Sequence, residues 1–124
     1  MTKLIHSCQA IVVTCIDFRF QDRIQKWIKN HIKNGFDRVA VAGGVKNPDF
    51  VLSQIEISVR LHHTKEVYLI NHEDCGAYGK EGNFEKHKQD LLATKEKIAE
   101  KHPFLKVYLL YLKLSGEFVT IKNN

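Results

Sequence analysis

The sequence has little of what marks secreted, membrane-spanning or disordered proteins. Its 124 residues contain three cysteines and two prolines, and so few cysteines, odd in number, do not build a disulfide framework. No apolar run approaches the ~20 residues that a membrane-spanning helix needs. Residues 1–6 lack the longer apolar stretch and the small-residue cleavage site of a signal peptide. We therefore expect a cytoplasmic protein that has no membrane partner.

The composition is 44% hydrophobic and 27% charged, which is typical of a soluble globular protein. The length suits a single domain over residues 1–124, large enough to bury a core without disulfide bridges. The net charge is +5, but the lysines are spread along the chain and no nucleic-acid-binding motif accompanies them. The basic excess therefore predicts a solvated surface rather than a nucleic-acid partner.

Short β-branched apolar runs alternate with segments of helical periodicity. Strands are predicted at residues 10–15, 38–42, 66–71 and 106–113, and an antiparallel return at 117–121. Helices are predicted at 24–32 with Gly35 as C-cap, from Asn47-Pro48 onward, and at 84–101. This alternation predicts a three-layer α/β fold, in which a mostly parallel four-stranded sheet has a C-terminal antiparallel edge strand and helices on both faces.

Ligands of such sheets bind beyond the carboxyl ends of the strands, and unusual residues follow the first three predicted strands: Cys15, Gly43-Gly44 and His72. His72 and Cys75 are three residues apart, so one turn of chain can aim an imidazole and a thiolate at one point. Cys15 ends the first predicted strand, which can lie beside the third predicted strand, the one that precedes His72. Two thiolates and one imidazole form a zinc set with an open fourth position, as in catalytic sites. Taken alone, Cys15 would be interpreted as an inert core cysteine at a strand end rather than as a ligand.

Asp17 and Arg19 follow Cys15 closely and can pair in a turning segment. A bidentate guanidinium would hold the carboxylate back from a neighbouring metal and leave it free to accept a hydrogen bond from zinc-bound water. The pKa of such a water falls to about 7, which provides hydroxide at neutral pH. This pattern predicts the hydration or hydrolysis of a small electrophile, with an ordinary surface ion pair as the alternative.

Three motifs in order resemble those of the β-class carbonic anhydrases. Cys-x-Asp-x-Arg occupies 15–19, Ala-Gly-Gly occupies 42–44 and His-x-x-Cys-Gly-Ala occupies 72–77, each after a predicted strand. Residues 113–118 resemble the final hairpin of that family, so the likeness covers about residues 11–121. Any one motif would be weak evidence, whereas the three together are specific.

The resemblance implies a zinc lyase that reversibly hydrates carbon dioxide to bicarbonate by zinc-bound hydroxide. It implies Cys15, His72 and Cys75 as metal ligands, and an Asp17–Arg19 dyad that controls the fourth position. It also implies that backbone at Gly43 or Gly44 lines the substrate pocket, and that the protein forms a homodimer or a higher homo-oligomer.

The sequence departs from the family pattern in three places. Phe18 stands where the family usually has a serine, and a single helix follows Gly76 where the family usually has several. Fourteen residues precede Cys15, so we expect no helical N-terminal arm. These departures leave open a zinc-binding module without catalysis. The resemblance itself leaves open the hydrolysis of carbon disulfide or carbonyl sulfide at the same site, which related proteins carry out.

Several other reactive side chains are interpreted as structural. Cys8 is predicted to have no function, and His62 is expected to be a helix-end or surface residue. His87 lies on a lysine-rich helix and is expected to be solvated. Asp74 is interpreted as a turn former that could also support the site.

Overall fold

The computed structural model describes residues 6–122, in which five strands and three α-helices alternate. The strands are β1 (Ala10–Thr14), β2 (Phe36–Ala40), β3 (Glu66–His72), β4 (Lys106–Leu112) and β5 (Phe118–Thr120). The helices are α1 (Gln21–His31), α2 (Pro48–His62) and α3 (Phe84–Lys101). Single 3-10 turns lie at Phe18–Phe20, Gly44–Lys46 and Gly79–Glu81.

The strands form one sheet in the order β2-β1-β3-β4-β5. The first four run parallel, and β5 pairs antiparallel with β4 at the edge. Every residue of β1 is buried, as its continuous apolar run requires of a strand covered on both faces. Thr14 of β1 lies opposite Ala40 of β2 and Ile70 of β3, so these three strands end at the same edge. The predicted α/β sheet is confirmed.

Helices cover both faces of the sheet, as predicted. Ile28 of α1 packs with Val12 of β1 in one hydrophobic cluster. Ile55 of α2 and Leu91 of α3 pack with Val13 of β1 in the other. Successive strand side chains point to opposite faces, so a single strand serves both clusters. Full burial of each such side chain contributes about 1.5–3 kcal/mol.

The start of α2 follows the predicted pattern, whereas the end of α1 does not. Asn47 Oδ1 accepts a hydrogen bond from the Phe50 N–H at 3.4 Å, and Pro48 opens the helix. The predicted C-cap at Gly35 is wrong, because α1 ends at His31 and Ile32 is its C-cap. Gly35 has a φ of 87° and turns the chain into β2 instead. β2 begins two residues before its predicted start, since pairing with β1 extends to Phe36.

No helix among residues 6–122 combines the length and apolarity needed to span a bilayer.

Candidate metal centre

Cys15, His72 and Cys75 converge at the carboxyl edge of the sheet. Cys15 directly follows β1 and His72 ends β3, and these two strands are hydrogen-bonded neighbours. The Sγ atoms of Cys15 and Cys75 are 3.9 Å apart. The three potential ligand atoms all lie within 4.8 Å of one another, and all three residues are buried. The structure thus brings together the three residues that the sequence nominates as ligands.

The His72 ring is oriented by a hydrogen bond to its own chain. Nδ1 lies 2.7 Å from the Glu73 carbonyl oxygen, and because a carbonyl can only accept, Nδ1 carries the hydrogen. Nε2 of the neutral ring therefore has a free lone pair. Among the described residues, this buried nitrogen has no hydrogen-bond partner. Leaving a buried polar atom unsatisfied costs about 1–3 kcal/mol, so a ligand from outside residues 6–122 would stabilise this position.

These three residues fit a zinc ion. Two sulfurs bound at the usual distance in a tetrahedral zinc site are separated by about 3.8 Å, close to the 3.9 Å observed here. Both cysteines are free of disulfides, and two thiolates with one imidazole make a common zinc donor set. The carboxyl edge of the sheet is therefore a possible metal site.

The surroundings of the two thiols differ in their effect on ionisation. Burial opposes ionisation of Cys15, but the adjacent His72 ring and the Gly43 N–H favour the thiolate and lower the Cys15 pKa to about 6. Gly43 donates to the Cys15 Sγ at 3.3 Å. For Cys75, burial dominates and raises the pKa. Burial also disfavours a charged His72, yet the neighbouring Cys15 sulfur and the Glu73 carbonyl outweigh it and raise the His72 pKa.

Asp17 and Arg19 form a bidentate ion pair beside the triad. Arg19 Nη2 donates to Asp17 Oδ2 at 2.7 Å, and Nε donates to Oδ1 at 3.1 Å. This pairing lowers the pKa of Asp17 to about 2. Arg19 Nη1 also donates to Asp74 Oδ2 at 3.0 Å. Asp17 Oδ2 is 3.9 Å from His72 Nε2, so the fixed carboxylate faces this nitrogen.

Gly43 and Gly44 form the turn beneath the triad. Their φ angles are 84° and 59°, in the left-handed region that side chains rarely adopt. A Cβ at Gly44 would overlap Asn71 Oδ1. Both glycines are buried, and the open cleft beside the triad is lined by neighbouring Ala42 instead. A role for Gly43 or Gly44 in binding substrate stays a prediction.

The cleft beside the triad has a volume of about 600 Å³ and a largely apolar rim. Ile16 and Phe18 lie on it and are 58% and 86% exposed. A second cleft, of about 720 Å³, lies elsewhere against Trp27 and Tyr68, and it is lined by none of the predicted site residues. The predicted site residues Cys15, Asp17 and Arg19 therefore line the cleft at the end of β1.

A buried polar network behind the triad is absent from the sequence predictions. Asn71 donates to the Tyr78 hydroxyl at 3.1 Å and to His87 Nδ1 at 2.9 Å, and it accepts from the Val45 N–H at 3.2 Å. The Tyr78 hydroxyl donates to Asp90 at 2.8 Å. The network joins β3, the glycine turn and α3, and so supports the segment that carries His72.

The expectation that His87 is solvated is wrong. Its side chain is fully buried, and burial lowers its pKa to about 4. The lysines around it obscured a helical stripe in which His87, Leu91, Thr94 and Ile98 are spaced by four, three and four residues. That spacing is the signal that would have placed His87 on the inner face of α3.

Comparison with solved structures places the fold among carbonic anhydrases. The carbonic anhydrase of Streptococcus mutans matches with a TM-score of 0.70 at 13% identity, covering 98% of this chain and 87% of that one. The apo form of a carbon disulfide hydrolase matches with a TM-score of 0.68 at 13% identity, covering 97% and 82%. At these identities the likeness shows the fold alone, which is that of an α/β carbonic anhydrase-like protein.

Sequence comparison then gives the family. Residues 5–122 match the model of the family described as "Putative carbonic anhydrase", and the chain belongs to this family. An uncharacterised protein of Rickettsia bellii is 29% identical, in an alignment that covers 92% of this chain and 82% of that protein. The predicted resemblance to the carbonic anhydrases is confirmed.

Proposed function

We propose that the protein is a zinc lyase that reversibly hydrates carbon dioxide to bicarbonate. The observation that carries this proposal is the pair of sulfurs 3.9 Å apart, faced by an imidazole nitrogen that has no hydrogen-bond partner among residues 6–122. Cys15, His72 and Cys75 would hold the ion. When bound, zinc lowers the pKa of a water molecule enough to supply a nucleophile near neutral pH.

Asp17 would act as the hydrogen-bond acceptor that orients the nucleophile. Its Oδ2 lies near the triad, and its low pKa keeps the carboxylate ionised at neutral pH. Arg19 is best explained as a positioning residue. Its Nε and both Nη atoms already donate to Asp17 and Asp74, so the guanidinium fixes the carboxylate rather than binding the product.

The rim of the cleft suits a small, uncharged substrate. Ile16, Phe18, Ala42 and Ala77 supply apolar surface beside the triad. These apolar side chains form no hydrogen bonds with the substrate. The polar contacts in the cleft are therefore left to Asp17. Gly43 would contribute by donating its N–H to Cys15, which favours the thiolate that a metal needs.

A second candidate function keeps the site and changes the electrophile to carbon disulfide or carbonyl sulfide. The similarity in fold to a carbon disulfide hydrolase favours keeping it. A third candidate is a zinc-binding module without catalysis, which the highly exposed Phe18 at the mouth of the cleft favours.

We also propose that the protein is a cytoplasmic homo-oligomer. Ile16 and Phe18 expose apolar side chains together at the mouth of the cleft, and a second copy that covered them would remove this surface from water. Cys8, Cys15 and Cys75 are free thiols, which suits a reducing compartment.

The proposal is tested by measuring zinc content and the rate of carbon dioxide hydration between pH 6 and 9. Cys75→Ser should lose one zinc equivalent relative to the wild type, together with the activity. Asp17→Asn should keep the zinc and lose activity. His31→Gln, which alters an exposed histidine on α1, is the matched control and should change neither.

Each other outcome favours a different function. Wild-type protein that binds zinc at the triad but does not exceed the uncatalysed rate would favour the binding module. Faster turnover of carbon disulfide or carbonyl sulfide than of carbon dioxide would favour the second candidate. Unchanged zinc content in Cys75→Ser would refute the assignment of the triad itself.

A further inference from the structure

A second cluster of metal-ligating side chains lies at the opposite edge of the sheet from the triad. Cys8 precedes β1, Asp37 is the second residue of β2, and His62 ends α2. Their potential ligand atoms all lie within 4.8 Å of one another. The five residues of β1 separate this cluster from Cys15 by about 16 Å, so the two sets cannot share an ion.

We propose that Cys8, Asp37 and His62 form a second zinc site, distinct from the triad. A thiolate, an imidazole and a carboxylate are the three donor types that zinc accepts in proteins. The thiolate and imidazole disfavour magnesium and calcium, which prefer oxygen ligands. The three residues come from separate parts of the chain, so a shared ion would tie the segment before β1 to β2 and α2.

The charge in the cluster favours a cation. Asp37 pairs with His62, whose Nδ1 lies 2.6 Å from Asp37 Oδ2. Within residues 6–122, no lysine or arginine lies within ion-pair distance of Asp37. The Asp37 and His62 side chains are only 30% and 32% exposed. Among the described residues, the basic group paired with this partly buried carboxylate is an imidazole, which is itself a zinc ligand in its neutral form, so the pair can bind a divalent ion together.

Two buried hydroxyls hold the potential ligands in place. Ser58 Oγ donates to Asp37 Oδ2 at 2.8 Å, and Thr64 Oγ1 lies 3.3 Å from Cys8 Sγ. The two hydroxyls are hydrogen-bonded to each other at 2.6 Å. The Cys8 N–H also donates to the His62 carbonyl at 3.0 Å. Hydrogen bonds that orient the ligands are a common feature of protein metal sites.

His6 lies beside His62, and a movement of its side chain would let it add a fourth donor. Its ring lies edge-on to that of His62, with the centroids 5.1 Å apart, and it is exposed. Four protein ligands would close the coordination sphere, which is the arrangement of structural rather than catalytic zinc. Ligand atoms around zinc are about 3.3–3.8 Å apart, and those of Cys8, Asp37 and His62 all lie within 4.8 Å of one another, so binding would need these three to approach by no more than about 1.5 Å.

The first test counts zinc ions bound per chain by equilibrium dialysis of metal-free protein. Wild type should bind two, one at the triad and one at this cluster. Cys8→Ser and His62→Gln should each weaken one of the two sites by at least about 10-fold. His63→Asn is the matched control, because it removes the adjacent exposed histidine and asparagine tolerates its left-handed φ of 55°. It should still bind two ions.

The second test uses cobalt(II) as a spectroscopic probe. The chain has three cysteines, so the variant Cys15→Ser/Cys75→Ser keeps Cys8 as its single thiol. A thiolate-to-cobalt charge-transfer band in this variant must therefore come from Cys8. The band should appear at about one equivalent of cobalt and should vanish when His62→Gln is added. Should the double variant fail to fold, the dialysis of the single variants decides.

The outcomes separate this proposal from the function proposed for the triad. Zinc binding by Cys8→Ser and His62→Gln that equals the wild type would overturn the second site and leave the triad untouched. Binding that survives in Cys75→Ser but is lost in Cys8→Ser would support the second site and contradict the triad. Loss of an ion in the His63→Asn control would overturn the assignment of His62.

Discussion

Replacement of Asn71 by alanine should destabilise the protein more than any surface substitution. Asn71 is almost completely buried, and its amide joins three parts of the fold. Its oxygen accepts from the Val45 N–H, and its nitrogen donates to His87 Nδ1 and to the Tyr78 hydroxyl. Alanine removes all three bonds without offering a substitute.

The magnitude follows from the groups that lose their partners. The Val45 N–H and His87 Nδ1 are both buried, and each would be left without its hydrogen bond at a cost of about 1–3 kcal/mol. The Tyr78 hydroxyl keeps Asp90 as its acceptor, so it adds little. The free energy of unfolding should therefore fall by about 2–6 kcal/mol, a large part of the 5–15 kcal/mol typical of a domain.

The measurement is urea unfolding of metal-free protein, followed by the fluorescence of Trp27, which is the sole tryptophan. Metal-free protein is used because Asn71 precedes His72, and a change in zinc affinity would otherwise contribute. Asn30→Ala on the exposed face of α1 is the control, and it should change stability by less than about 0.5 kcal/mol. A loss below about 1 kcal/mol for Asn71→Ala would refute the claim that the network supports the site.

Three further predictions concern the dyad, the buried histidine and the glycine turn. Arg19→Gln should keep zinc but lower kcat/KM for carbon dioxide by about 10- to 100-fold, because Asp17 loses its fixed orientation; unchanged kinetics would contradict this role. In the folded protein the pKa of His87 is about 4, so its ring stays neutral at higher pH. In the unfolded chain the same ring binds a proton near pH 6.5. Wild-type stability should therefore fall by up to about 3 kcal/mol between pH 6.5 and 4, and urea unfolding should show a weaker dependence in His87→Gln. Gly44→Ala should lower the free energy of unfolding by about 1–3 kcal/mol or more, because of its positive φ and the overlap with Asn71. Gly76→Ala, with open space around it, should lower it far less, and thermal unfolding of both variants would measure the difference.

Local patterns predicted most of the fold because they report local physics. The apolar run of β1 requires burial on both faces, and Asn47-Pro48 favours a helix start because the asparagine side chain accepts from one free N–H group and proline has none. The C-cap at Gly35 was wrong for a non-local reason. Pairing of Phe36 with Ala10 extends β2 toward the helix, so Gly35 serves the strand entry instead of the helix end.

One of the two clusters of potential metal ligands could be predicted from the sequence, and the other could not. The convergence of Cys15 and His72 could be predicted because parallel neighbouring strands bring their carboxyl ends to one edge. The interpretation of Cys8 and His62 as unrelated structural residues missed their proximity. Cys8 and His62 are far apart in the sequence, and only the packing of the end of α2 against the start of β1 brings them together.

By itself, the sequence determined the order of strands and helices and the edge of the sheet at which the triad lies, since periodicity and strand direction are properties of the local chain. Only the tertiary structure decided that His72 Nε2 faces two sulfurs and has no hydrogen-bond partner in the described part of the chain. It also decided that His87 is buried while its lysine neighbours are not. Those features depend on which surfaces exclude water from one another, and that is fixed only when the helices close over the sheet.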